Sequence, residues 1–227
     1  KYSRPRSLDA TEDAVRASLA QLQQPDGWGI VLFLFSLMMS AGIESVNSNM
    51  DDPSGNMMGA HGYCTQDLVN LIICGSAVTN VFDKVKKLDE LTILRGVPQK
   101  GPIGFLSLFD WYKYIEVGSF YREPECGVWV ICCESHFTCL FCTDYPTVSR
   151  NQVPFDLYYY DGLANQTEEI RFSITKSPTG GHTARAGGDS IGSRGAMEGD
   201  LTPPMEFVIE TRWPGVNVDW NGVDPIL

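Results

Sequence analysis

The sequence predicts an α+β domain in which helices come first and an antiparallel sheet follows. Three observations predict it. In the first half of the chain apolar residues recur at three- and four-residue spacing, the period of a helix with one apolar face. From about Tyr114 onward they fall instead into β-branched and aromatic runs of strand length. Helices and strands are segregated along the chain rather than alternating, which is the α+β pattern. With 227 residues, 43% of them hydrophobic and 20% charged, the chain has the material for a sizeable core.

Taken in order, residues 7–24 read as an amphipathic helix carrying Leu8, Val15, Leu19 and Leu22, ended by Pro25-Asp26-Gly27. The apolar run Gly29 to Met39 is too short for a membrane span, which needs about 20 residues. It is expected to be a buried core element, with its length and with Ser36 and Ser40 favouring helix over strand. Residues 44–62 are polar and rich in Asn, Asp, Gly and Met, with a turn at Asp52-Pro53-Ser54-Gly55, and read as a loop. Thr65 is placed to cap a second helix with Leu68, Val69, Ile72 and Ile73 on one face, and Gly75 to end it. Leu88 to Arg95 is ambiguous. Ile103 to Tyr114 predicts a third helix through Phe105, Leu108, Phe109 and Tyr112.

Strands are predicted at Tyr114–Phe120, Val128–Cys133, His136–Cys142, Phe155–Tyr160, Ile170–Thr175 and Met205–Arg212. Residues 177–200 are rich in Gly, Ser and Ala with few apolar side chains, and are expected to form a mobile insertion. The tail through Trp213, Trp220 and Leu227 is expected to pack back on the domain.

The formal net charge of −11 repels phosphate backbones, so nucleic acid is not an expected partner, and neither is a membrane. No signal peptide is visible at Lys1-Tyr2-Ser3-Arg4-Pro5-Arg6, and the start without Met leads to the expectation that upstream sequence is missing. The seven cysteines are odd in number and sit in apolar runs, which favours reduced thiols and a cytoplasmic setting.

Three histidines can be weighed for chemistry. His182 lies in the expected insertion and His61 at the end of a polar loop. His136 opens a strand between apolar runs, the fixed placement an imidazole needs to take a nucleophile's proton and return it to a leaving group. The same placement fits a structural histidine bonded to the backbone. If strands 136–142 and 155–161 pair about a turn at Tyr145-Pro146, Asp161 lies across from His136 and can fix its tautomer. Asp161 precedes Gly162, so it equally fits a turn-forming aspartate. Cys64, just before Thr65 at a helix N-terminus, is a reserve nucleophile, and it also fits an unreactive thiol. Cys139 and Cys142, in a Cys-x-x-Cys, fall within an apolar strand and would face opposite sides, which argues against zinc; no metal or cofactor is expected. Neither a P-loop nor a His-Glu-x-x-His is present.

Five ordered blocks resemble the larger-member branch of the MINDY deubiquitinases. They are Gly62-Tyr63-Cys64-Thr65-Gln66-Asp67-Leu68-Val69-Asn70-Leu71, Gly104-Phe105-Leu106-Ser107-Leu108-Phe109, and Val128-Trp129-Val130-Ile131-Cys132-Cys133-Glu134-Ser135-His136-Phe137. Tyr159-Tyr160-Asp161-Gly162-Leu163-Ala164-Asn165-Gln166 and the closing Trp220-Asn221-Gly222-Val223-Asp224-Pro225-Ile226-Leu227 complete the set. The resemblance runs from about Ile30 onward, interrupted at 44–58 and 177–200. It implies that residues 1–227 are the C-terminal portion of a single catalytic domain with a papain-like cysteine-protease fold, incomplete at its N-terminus. It implies thiol-dependent hydrolysis of isopeptide bonds in polyubiquitin, with preference for the linkage that marks proteins for degradation, and gives His136 the general-base role.

The family's nucleophilic cysteine follows a glutamine and a glycine-rich turn, and no Gln-x-Gly-Gly-Pro-Cys-like segment occurs here. Cys64 falls in a different block. The nucleophile is therefore expected upstream of this chain, and the chain alone is expected to be inactive. The alternative is a catalytically inactive ubiquitin-binding or structural subunit of a larger assembly, cytoskeletal in setting, that keeps the fold.

Overall fold

The computed structural model describes residues 8–90, 92–164, 166–177 and 202–224. The mixed helices and sheet make an α+β protein, divided into two compact units, Lys1–Ser48 and Asn49–Leu227.

The first unit holds α1 (Leu8–Leu22) and α2 (Gly29–Ala41) and runs into α3 (Ile43–Asn49). Both expected helices are present, but the expected burial of Gly29–Met39 is not found. Ile30 and Phe35 are 65% and 61% exposed, and α2 contains no buried residue. The helix is apolar on nearly every side, and a single neighbouring helix, α1, can cover one side at most. Ser36 and Ser40 donate back to the carbonyls of Phe33 and Ser36, at 2.8 and 2.7 Å, the helical use of these hydroxyls. Among the described residues no single helix is long and apolar enough to cross a membrane. The α2–α3 pair passes that test only together, across an 85° bend.

The loop expected over 44–62 begins later than predicted, because Glu44 to Asn49 belong to α3, and Ala60–Gly62 forms a 3-10 turn. The turn at Asp52 is formed: its carboxylate accepts the amide and hydroxyl of Ser54 at 3.0 and 2.6 Å. α4 (Gln66–Cys74) begins where Thr65 Oγ1 accepts the Leu68 amide at 3.4 Å. It ends at Gly75, whose φ of 74° is the left-handed cap conformation. The ambiguous segment around Leu88 is a small hairpin, β1 (Val85–Lys87) with β2 (Ile93–Arg95).

The main sheet has six strands in the order β3 to β8. The sheet is mixed rather than the antiparallel one expected, and helices occur among the strands as well as ahead of them: β3 (Gly104–Ser107) and β4 (Val128–Cys133) are parallel, while β5 (His136–Phe141), β6 (Phe155–Tyr160), β7 (Ile170–Lys176) and β8 (Val216–Asp219) follow antiparallel. Four predicted strands, β4 to β7, are found. Four predictions of individual elements are corrected. Ile103–Tyr114 is not one helix: Gly104 to Ser107 is a strand buried on both faces, a short apolar run that periodicity does not separate from a helix. A single turn, α5 (Leu108–Trp111), follows it, capped by Ser107. Tyr114–Phe120 is not a strand, because the Asp110 carboxylate takes the Val117 amide at 3.2 Å. Asp83 then accepts the Ser119 and Phe120 amides at 2.9 Å each, starting α6 (Ser119–Arg122).

Met205–Arg212 is not a strand but helix α8 (Pro204–Arg212). Its buried Met205, Val208, Ile209 and Arg212 are three and four residues apart, and Pro204 occupies a first-turn position where it loses no hydrogen bond. The connection between β5 and β6 is likewise a helix, α7 (Tyr145–Ser149), not a tight turn; Asp144 caps it.

The sheet has a core on each face. On one side Trp129, Ile131, Leu140, Leu157, Phe172 and Ile174 pack with Val208 and Ile209 of α8. Trp213 and Trp220 join this core, so the tail does pack back on the sheet as far as it is described. On the other side Val69 and Ile73 of α4 pack with Phe105, Val117, Tyr121 and Cys132. The expected insertion at 177–200, apart from Ser177, and Leu227 lie outside the described residues.

Candidate active site

Strand parity decides which side chains meet at the β4–β5–β6 corner. Leu140 pairs with Tyr159 across β5 and β6, and both face the Trp129 core. Two residues along in each direction, Thr138 and Asp161 fall on that same face, and so does His136 at the tip of β5. His136 and Asp161, 25 residues apart, meet there: the imidazole Nε2 lies 2.7 Å from Asp161 Oδ2. The imidazole is 36% exposed and the carboxylate only 5%.

Asp161 is fixed from several directions. Its Oδ1 accepts the backbone amides of Leu163 at 2.8 Å and Ala164 at 3.3 Å, so the turn-forming role is also real. Its own amide donates to Gln166 Oε1 at 3.0 Å. Burial pushes the carboxyl's pKa up, but the hydrogen bond to His136, the two turn amides and the imidazole charge outweigh it. The carboxyl titrates below its ordinary value of 3.8. An ionised carboxylate can only accept, so the neutral ring donates from Nε2 and Nδ1 carries the lone pair. Chemically, this is a partly exposed base held in one tautomer, backed by a buried anion that stabilises its protonated form.

His136 is reached through a tight turn. Cys133 of β4 pairs directly with His136 of β5, leaving Glu134 and Ser135 alone in the connection. Both have positive φ, 49° and 68°. A two-residue turn of this kind matches the strand twist but strains side chains larger than glycine or asparagine.

Cys64 is exposed and lies beside the N-terminus of α4. It lines a cleft of about 640 Å³ together with Phe137, Cys132 and Ser135. Phe137 and Cys132 belong to the opposite face of the sheet from His136, which does not line this cleft. Among the described residues no hydrogen bond joins Cys64 to His136. All seven cysteines are free thiols. Burial, then the Glu134 and Cys132 charges, pushes the Cys133 thiol up to about 11. Burial and then Asp144 do the same to Cys142, also to about 11. Neither is a thiolate at neutral pH. Among the described residues no three His, Cys, Asp or Glu side chains converge as a metal site would require. His61 stands in the 3-10 turn with φ 62°, and His182 lies outside the described residues.

The strand pattern brings His136 and Asp161 together, whereas the contacts of Gln166 depend on a loop whose path the sequence does not announce.

Comparison with known proteins bears on the same residues. The family model described as "Deubiquitinating enzyme MINDY-3/4, conserved domain" matches residues 2–222. The chain is 43% identical over 97% of its length to mouse "Probable ubiquitin carboxyl-terminal hydrolase MINDY-4", and 41% identical over 97% to the human protein of that name. It is 32% identical over 63% of its length to human "Ubiquitin carboxyl-terminal hydrolase MINDY-3". It spans 29%, 28% and 32% of those three proteins respectively, less than a third of each. No solved structure matches it. The resemblance carried by the His136 and Asp161 blocks thus extends along nearly the whole sequence, and the chain belongs to the MINDY-3/4 family of deubiquitinating enzymes.

Proposed function

We propose that this chain supplies the histidine side of a thiol-dependent deubiquitinase that hydrolyses isopeptide bonds in polyubiquitin, the degradation-type linkage among them. The observation that carries the reading is the 2.7 Å pairing of a partly exposed imidazole with a buried carboxylate. Family membership supports ubiquitin as the substrate. The chain has no Gln-x-Gly-Gly-Pro-Cys-like segment, burial disfavours the thiolates of Cys133 and Cys142, and Cys64 opens on the other sheet face. These features support a nucleophilic cysteine in a part of the protein outside these 227 residues, and with it a papain-like domain that is only partly present here. The free thiols fit a reducing, cytoplasmic compartment.

In this mechanism His136 takes the proton of the cysteine thiol, and the thiolate attacks the isopeptide carbonyl. As the C–N bond breaks, the imidazolium returns the proton to the lysine amine that leaves. Water then attacks the thioester; His136 takes its proton, the thiol is released, and ubiquitin leaves as a carboxylate. Asp161 keeps Nε2 protonated throughout and stabilises the imidazolium.

The test is a ubiquitin probe with a thiol-reactive C-terminus applied to the full-length protein. The expected result is labelling of a cysteine outside this chain, lost in His136→Ala. Labelling of Cys64 would overturn the assignment of the nucleophile. Ubiquitin binding without labelling would instead establish an inactive ubiquitin-binding or structural subunit.

A further inference from the structure

Gln166 is half-buried in the connection from β6 to β7, and its side-chain amide is used at both ends. Oε1 accepts the backbone amide of Asp161 at 3.0 Å, and Nε2 donates to the carbonyls of Tyr159 at 3.0 Å and Glu168 at 2.8 Å. The last backbone pair between the two strands is Tyr159 with Ile170. Beyond it the chain opens into the loop that carries Asp161. There the Gln166 side chain takes the place of ladder hydrogen bonds, tying the end of β6 to the approach to β7. Among the described residues, the loop's other internal side-chain bonds are those of the Asp161 carboxylate itself, to Leu163 and Ala164. Those bonds shape the turn, but they do not fasten it to the sheet that carries His136.

We propose that Gln166 is a positioning residue: it clamps the Asp161 loop to β6 so that the Asp161 carboxylate stays on Nε2 of His136. This rests on the reading of His136 as general base, and it adds a residue that never touches the reacting atoms. Without the clamp the loop retains its turn, but its carboxylate shifts relative to the imidazole. Small displacements of groups that orient a catalytic base cost rate far more than affinity.

The test compares Gln166→Met, which keeps the side chain's length and removes its three hydrogen bonds, with Asp161→Asn and the double variant in the full-length enzyme. Cleavage of a fluorogenic ubiquitin substrate is followed across pH. The ionisable side chains of Cys133 opposite His136, Glu134 in the turn and Tyr159 beside Asp161 lie near the pair and are retained in every variant. The expected result for Gln166→Met is a fall in kcat of about tenfold with KM unchanged. The pH profile should change as it does in Asp161→Asn, with the same limb moving in both, because the imidazole loses the same partner. The double variant should be little worse than Asp161→Asn alone. An unmoved limb with losses that add in the double variant would overturn the proposal and leave Gln166 a loop-stability residue. If Gln166→Met fails to fold, Gln166→Glu keeps the acceptor for the Asp161 amide and removes the donors, and the same limb is read. Full turnover in His136→Ala would instead sink the general-base reading itself, independently of Gln166.

Discussion

Cys133 and His136 face each other across a connection of only two residues, and both of those residues, Glu134 and Ser135, are left-handed. Such turns favour Asn-Gly, because a β-carbon at positive φ meets the neighbouring carbonyl at a cost of about 1–2 kcal/mol. Ser135→Gly is therefore expected to raise the stability of the unit by about 1 kcal/mol, read as a higher urea midpoint. A lower midpoint would show that the serine side chain returns more than the turn costs.

The acidity of Asp161 predicts a pH dependence of stability. Its folded-state pKa lies below the ordinary value of 3.8 because the bonds from His136 and the turn amides outweigh burial. The folded chain thus binds that proton less readily than the unfolded chain. Its stabilisation is complete above the ordinary value and is lost as pH falls through the depressed one. Asp161→Asn is expected to be less stable than the parent at neutral pH, with the gap narrowing below about pH 4. Urea titrations at several pH values check this, and a gap that stays constant into strong acid would contradict it.

The pairing of His136 with Asp161 was legible in the sequence because it depends on two strands of clear pattern and on the two-residue alternation of their side chains. The α4 helix was legible for a similar reason: Thr65 and Gly75 are local signals that state where it starts and stops. What was hidden depended on distant partners. Asp83 starts α6 from 36 residues away, and nothing within Ser119–Arg122 announces it. β3 is buried on both faces, so it lacks the alternation that marks a strand. In α8 the aromatic and β-branched run from Phe207 to Ile209 outweighs Pro203-Pro204, although the stripe Met205, Val208, Ile209, Arg212 is there to be read. The burial expected of α2 failed because composition states how apolar a helix is, not what is available to cover it.

Asn70 is fully buried and joins four groups. Its Nδ2 donates to the carbonyls of Val78 at 2.7 Å and Asn80 at 3.2 Å, and its Oδ1 accepts from the Tyr121 hydroxyl at 2.7 Å and from Gln66 at 3.0 Å. Asn70→Ala strands several of these partners at once, and is expected to cost about 3 kcal/mol. Tyr121→Phe removes a single donor, and Asn70 Oδ1 keeps Gln66, so about 1 kcal/mol is expected. The contrast is the check in parallel urea titrations. Equal losses would mean that the cost comes from packing rather than from the hydrogen bonds.

Gly104 pairs with Trp129 in the parallel β3–β4 ladder, and a β-carbon there would run into the Trp129 indole and the Tyr121 carbonyl oxygen. Trp129 is wholly buried against Trp213 and Tyr145 and cannot move aside without opening the core. Gly104→Ala is expected to destabilise the sheet by about 1–3 kcal/mol through overpacking. A β-carbon at Gly101, slightly earlier in the chain, would meet no atom within 4 Å. Gly101→Ala should therefore stay within about 0.5 kcal/mol of the parent. The two alanines differ in what they meet, so a similar loss in both would place the cost in the backbone of this segment rather than in the close approach of β3 to Trp129.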